Sequence, residues 1–226
     1  VSENSKSASI SNQRNKTLAD SHAQFSGNIP EIYDQHLGPA FFALPAAHMA
    51  KKIAEAVSGV SNARVLEVAC GTGIVTEALR GALADDIEIV ATDLNPGMLE
   101  YAQSVRGDLA NVTWQQADGQ DLATLDGAFD AVVCQFGLMF FPEKEKGLGA
   151  MAGVLNAGGT LAVSTWESLE KNTLPGLGQE VLATFFDEDP PKFLSVPFGM
   201  SNPGVITALL MQAGLDQVQI ETQGFE

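Results

Sequence analysis

Cysteine is scarce: Cys70 and Cys134 are the only two in 226 residues. Two are too few for a disulfide framework in a domain of this size, and no Cys-x-x-Cys pair points to zinc. The three histidines, His22, His36 and His48, lie scattered without metal-ligand spacing, so no metal site is expected. A reducing cytoplasm is the simplest setting for such a chain. Positive charge is also short, with 12 Lys and Arg against 28 Asp and Glu, a net charge of −16. A surface this acidic repels phosphate backbones, which excludes a nucleic-acid partner, and its first reading is solubility. No apolar run approaches the roughly 18 residues of a membrane span. The opening VSENSKSASISNQRNKTLAD has no apolar core of the kind a signal peptide needs.

What is present is an alternation. Residues 1–26 are polar and read as a mobile tail. Two helical stretches follow within 27–60, punctuated by Gly38-Pro39 and Pro45. Then RVLEV (64–68), IEIVATD (87–93), VTWQQAD (112–118), FDAVVCQF (129–136) and TLAVSTW (160–166) read as strands. Helices are expected over 74–83, 96–106 and 143–155, the last ending at Asn156-Ala-Gly-Gly159. A final helix (202–213) and a sixth strand (216–221) close the pattern. Strands separated by helices of this length imply parallel pairing with right-handed crossovers, hence a doubly wound, mostly parallel α/β sheet. Ligands bind such sheets at the carboxyl ends of the strands, which here are Glu67 to Gly73, Asp93, Asp118 and Gln135.

The loop after the first strand, VLEVACGTG, decides what kind of ligand. A dinucleotide site needs G-x-G-x-x-G with pyrophosphate on the helix N-terminus. Gly71 and Gly73 are present, but Thr76 stands at the third glycine position, and Glu67 would repel phosphate in a partly desolvated site. A cationic ligand without phosphate is drawn to that carboxylate. S-adenosylmethionine (SAM), with a sulfonium, an ammonium, a ribose diol and an adenine, fits. Asp93, 22 residues after Gly71, can accept from both ribose hydroxyls; Met98 can lie on an adenine face and Asp118 can accept from its amine. Each has a plainer reading: Asp93 as a helix cap, Asp118 as a turn residue, Met98 as core.

These segments resemble the class I SAM-dependent methyltransferases. VLEVACGTG is similar to that family's first motif, ATDLNPGMLEYA to its acidic loop, and ADGQDL to its adenine-contacting segment. FDAVVCQFGLMFFPE resembles the fourth-strand motif and VLNAGGTLAVSTW the following turn and strand. The likeness is greatest to small-molecule methyltransferases of the ubiquinone and menaquinone biosynthesis type. It implies a Rossmann-like fold over 27–226 with N-terminal covering helices. It implies SAM as cofactor, with Glu67, Ala69, Gly71 and Gly73 around the methionine portion and Asp93 on the ribose. Leu94, Met98, Asp118 and Gly119 would surround the adenine, Gln135 would border the methyl-transfer face, and Tyr33 would reach in from the cover. Ala69 replaces a common family glycine. The seventh, antiparallel strand of the family has no counterpart before the last residue given.

Methyl transfer from a sulfonium is an in-line displacement that needs alignment and desolvation, with a base for some acceptors. His36, Tyr33 and Asp34 are the candidates for such a base, and the first reading of His36 is a surface or capping histidine. No Asn-Pro-Pro-aromatic sequence follows the fourth strand, which argues against amide and adenine N-methylation. The insert 167–203 carries Leu174, Leu177, Phe185, Phe186, Phe193, Leu194, Phe198 and Met200 and is expected to form a lid over a small, apolar or aromatic acceptor. A homo-oligomer is compatible with this reading. A non-catalytic SAM-binding protein and a nicotinamide-dependent oxidoreductase are the alternatives.

Overall fold

The computed structural model describes residues 28–186, 191 and 193–225; the expected tail, 1–26, lies outside them. Five strands form one sheet: β1 (Arg64–Val68), β2 (Glu88–Asp93), β3 (Val112–Gln116), β4 (Phe129–Gln135) and β5 (Leu155–Ser164). All pairings are parallel, and the order is β3-β2-β1-β4-β5. The order reverses beside β1, so the carboxyl ends of β1 and β4 flank the crevice where such sheets hold ligands.

The central strands are apolar on both sides because helices cover both faces. On one face Val65, Ile89, Ala131 and Val133 pack with Ala46, Ala50 and Ile53 of α2 (Ala43–Ala56) and Leu79 of α3 (Ile74–Ala82). On the other, Leu66, Val68, Val132 and Cys134 pack with Leu148 and Met151 of α5 (Lys144–Gly153), joined by Ile206 and Leu209 of α7 (Pro203–Gln212). Between β2 and β3, α4 (Pro96–Arg106) is started by Asn95, whose side chain accepts from the N–H groups of Gly97 and Met98, with Pro96 in its first turn. Asn202 caps α7 in the same manner.

Three expectations are corrected. Gly38-Pro39 and Pro45 do not separate two helices: α1 (Ile29–Ile32) runs into a π-wound stretch (Tyr33–Phe42) and then α2. Pro45 falls in the first turn of α2, where a missing N–H is tolerated, and the wider winding accommodates Pro39. Second, β5 begins at Leu155 rather than 160. Asn156-Ala-Gly-Gly159 lies inside the strand, with an irregular register opposite Phe129–Ala131 and Gly158 at φ +82°. Third, residues 216–221 form no strand. Glu221 instead pairs with His48 at 2.8 Å and Lys52 at 3.1 Å, which ties this segment to α2, and β5 is an edge strand among the described residues.

Candidate active site

Glu67 sits near the end of β1 and is 2% exposed. Its neighbours explain how a carboxyl survives there. Thr76, on the first turn of α3, donates to Oε2 at 2.6 Å, so the residue standing in place of a third glycine is the partner of the carboxyl. Thr92 of β2 donates to the Glu67 backbone carbonyl at 2.9 Å. Burial, reinforced by the charge of Asp93, pushes the Glu67 carboxyl up to about 8 despite the Thr76 bond and the field of Arg106. At neutral pH the Glu67 carboxyl is therefore held mostly in its protonated form, the field of Arg106 being too weak to ionise it.

The loop following β1 is shaped by backbone conformations that side chains resist. Ala69, Gly71 and Gly73 all have positive φ, +58°, +56° and +87°. A Cβ on Gly73 would stand 2.7 Å from the Trp114 ring, so this glycine is needed for close packing. A Cβ on Gly71 would meet nothing within 4 Å. Gly71 is thus dictated by conformation, and the space above it is open to a ligand.

Asp93 binds this loop to the end of β2. Its Oδ2 accepts from the Gly71 N–H and its Oδ1 from the Asn95 N–H, each at 2.8 Å. The cap of α4 is Asn95, which sets aside the helix-cap reading of Asp93. Burial raises the Asp93 carboxyl, and the backbone N–H groups offset part of that. Each carboxylate oxygen has a second lone pair for further donors.

Asp118 follows β3 and accepts from the Gln120 N–H at 2.9 Å, a local turn. At Gly119 any Cβ would collide with the Phe141 ring and with Val68. Met98 is 5% exposed, as a core residue would be, and Leu94 is 61% exposed at the rim. Gln135 ends β4 in register with Ser164 of β5. Gln135 Oε1, Ser164 Oγ and Thr72 Oγ1 are buried without a hydrogen-bond partner among the described residues. Such orphans are uncommon in a closed core, and Trp114 Nε1 and Gln179 Oε1 are further cases among the described residues.

Of the base candidates, Tyr33 reaches the site. Burial and the nearby Asp93 charge raise its phenol well above its ordinary value, which favours the protonated form. Asp34 is engaged by Arg106 at 2.9 Å. His36 is exposed.

A row of rings crosses the β4–β5 end of the cleft, of which only Phe198 was expected, as part of the lid. Phe136 and Trp166 stack at 3.9 Å, interplanar angle 2°. Phe42 reaches both, at 5.9 and 6.1 Å, and stacks on Tyr33 at 4.8 Å, while Phe198 lies 6.0 Å from Trp166. The signal that pointed to it, a non-glycine φ of +55° at Phe136, is visible only in three dimensions. Of the expected lid residues, Leu174, Leu177 and Phe185 are 67%, 53% and 76% exposed. They belong to α6 (Thr173–Ala183) and the turn after it.

Known proteins agree with this geometry. A family model described as "Methyltransferase domain" matches residues 65–159. A ubiquinone/menaquinone biosynthesis C-methyltransferase UbiE from Teredinibacter turnerae is 32% identical over 184 residues, 74% of this chain and 73% of the relative. The enzyme of the same name from Proteus mirabilis is 30% identical over 178 residues, 71% and 70%. Among solved structures, the CurJ carbon methyltransferase superposes with a TM-score of 0.63 at 21% identity, over 86% of this chain and 53% of that one. A SAM-dependent methyltransferase from Aquifex aeolicus gives 0.55 at 20%, over 73% and 78%. With this glycine loop, these strand-end carboxylates and relatives of that identity and coverage, the chain belongs to the class I SAM-dependent methyltransferases.

Proposed function

We propose that this methyltransferase acts on a small apolar or aromatic molecule held between residues 27–60 and the lid of 167–203. The observation that carries the reading is the aromatic row of Phe42, Phe136, Trp166 and Phe198 beside the buried amide of Gln135. The relatives are named for carbon methylation in ubiquinone and menaquinone biosynthesis, which supports a carbon as the acceptor atom. Buried, unpaired Cys70 and Cys134 support a cytoplasmic setting. The acidic composition supports a partner set without nucleic acid.

SAM supplies an electrophilic methyl group on a sulfonium, and the chain's task is to hold, orient and desolvate. Glu67 places a buried carboxyl next to Ala69, Gly71 and Gly73, and a cation there would return it to its ionised form. Asp93 offers its remaining lone pairs to a pair of hydroxyls. Leu94, Asp118 and Gly119 would border a flat base, with the nearly buried Met98 beside them. The buried, unpartnered oxygen of Gln135 accepts from a donor at the methyl-transfer face, and Tyr33 donates from the cover. The stacked Phe136 and Trp166 rings would shield the site from water and offer a flat apolar wall to an acceptor, and the in-line alignment that methyl transfer needs would be set against that wall.

Calorimetric titration with SAM, its demethylated product and NAD tests the site. SAM and product should bind, NAD should not, and Asp93→Ala should weaken SAM by about 100-fold through loss of charge-assisted bonds. Binding of NAD, or unchanged SAM affinity in Asp93→Ala, overturns the assignment. For the acceptor, turnover is compared across aromatic and aliphatic panels; a preference for charged aliphatic molecules overturns the aromatic reading.

A further inference from the structure

Arg106, the last residue of α4, reaches across the mouth of the cleft. Its Nη1 bonds Asp34 of the cover at 2.9 Å and the carbonyl of Thr72 in the glycine loop at 3.0 Å. Its Nε bonds Glu77 of α3 at 2.8 Å. Three separate segments thus meet on one guanidinium, a task its planar fork of donors suits and a lysine does not. Arg106 and Asp34 are each only 14% exposed, whereas Glu77 is 59% exposed. The side chain also runs along the glycine loop, since a Cβ on Gly73 would lie 3.1 Å from its Cδ.

Little of the segment it holds is buried, and its far end rests through Phe42 on the rings of Phe136 and Trp166. Of residues 29–42, Pro30 and Gly38 alone are buried, while Ile29, Ile32 and Leu37 are 41%, 47% and 40% exposed. Asp34 has a second tie, the Tyr101 hydroxyl, on the same α4. The winding of the segment matters to the site. In an α-helix of about 3.6 residues per turn, positions nine apart lie on opposite sides. Tyr33 and Phe42 nevertheless stack at 4.8 Å, because the stretch between them is π-wound. Asp34 is the second residue of that stretch, next to Tyr33. The ion pair therefore anchors the start of the π-winding that turns one ring toward Asp93 and the other toward Phe136 and Trp166.

We propose that Arg106 is a positioning residue: it clasps the π-wound cover to the glycine loop and sets how long the cofactor stays bound. The proposal rests on the reading of this cleft as the SAM site. Opening the clasp separates two poorly hydrated charges, leaving Arg106 with the exposed Glu77 and Asp34 with the neutral Tyr101 hydroxyl, so the closed cover is the resting arrangement. SAM enters and product leaves when Arg106 releases Asp34. Glu77 belongs to the same ion-pair group but not to the cover, so it separates clasping from general stabilisation.

The test is stopped-flow binding of SAM and its demethylated product to the full chain, with amide hydrogen exchange of the ligand-free protein read over residues 29–42. Asp34→Asn and Arg106→Gln should speed cofactor dissociation about tenfold and hasten exchange in 29–42, as loss of a half-buried ion pair implies. Arg106→Lys should recover part of the retention, and Glu77→Gln should change dissociation less than about twofold, as an exposed pair does. Should Arg106→Gln fail to fold, the near-isosteric Asp34→Asn decides alone. Wild-type dissociation in Asp34→Asn overturns the clasp even if the melting temperature falls. An equal effect in Glu77→Gln reduces Arg106 to general support and overturns it too. A wild-type chain that binds no SAM overturns the cofactor reading and the retention role together, and does so without any change in exchange over 29–42.

Discussion

On the β1–β2 side of the cleft, Thr76 bonds Glu67 at 2.6 Å and Gly71 bonds Asp93 at 2.8 Å, three of the four residues lying within one strand–loop–helix unit. On the β4–β5 side, Phe42, Phe136, Trp166 and Phe198 meet as rings from four stretches of chain, and the polar atoms of Gln135 and Ser164 stand without partners. The first side is bonded mostly within itself, Thr72 Oγ1 being the exception. The second leaves bonding and stacking capacity for something else. The contrast suits a methyltransferase, in which the cofactor is shared by the whole family and the acceptor differs from member to member. A site for a constant ligand can be rigid and self-contained. A site for a variable one is assembled from side chains that change without disturbing the sheet.

The harshest way to break the comparison is at the rigid side. Gly73→Ala places a Cβ at φ +87° and 2.7 Å from Trp114, and should lower unfolding stability by about 2–4 kcal/mol. A thermal melt showing an unchanged midpoint would mean that the loop is less constrained than its geometry implies.

The next effect is electrostatic. The Glu67 carboxyl titrates near 8 in the folded chain instead of 4.5, so the native state holds a proton that the unfolded state has released between those values. The contribution is fully present below about 4.5 and is lost as pH rises through about 8. Ligand-free stability should decline over that window by a few kcal/mol, and Glu67→Gln should flatten the decline. SAM should bind with release of a proton near pH 7, seen as a dependence of binding heat on the buffer's ionisation enthalpy. The same slope in wild type and Glu67→Gln would contradict the buried, protonated carboxyl.

A milder change sharpens the contrast from the other side. Trp166→Ala should leave SAM affinity within about twofold yet raise the acceptor KM about tenfold, since the lost surface is stacking wall rather than cofactor contact. Equal loss of both would mean that the two sides are one site.

The smallest effect is expected on α6. Val181→Ser, at a position 58% exposed, should alter stability by less than about 0.5 kcal/mol. A larger loss would show that this helix is packed in solution.

The division between the two sides is also the division between what could and could not be read from residues alone. All five sheet strands were legible, because apolar runs of strand length between helical periods encode parallel pairing directly. The glycine loop was legible because positive φ at Gly71 and Gly73 and the carboxyl at Glu67 leave few chemical alternatives. Thr76 looked like a defect in a dinucleotide motif and proved to be the hydrogen-bond partner of Glu67. Tyr33 was legible as part of the cover, but the upward shift of its phenol was not, since that depends on burial beside Asp93. The strand expected at 216–221 illustrates the limit. Val218 and Ile220 alternate as a strand would, but Glu221 is tied to His48 and Lys52, so the segment follows a helix instead of a sheet edge.

By itself, then, the sequence determined the doubly wound sheet, the glycine loop and the carboxylates at its strand ends, because period and backbone conformation are local properties written in adjacent residues. Only the tertiary structure decided the π-winding that stacks Tyr33 on Phe42, the aromatic row over β4 and β5, and the clasp of Arg106 on Asp34. Those pairs stand far apart in the chain or out of phase in a regular helix, and they come together only once several packed elements have fixed where each side chain can reach.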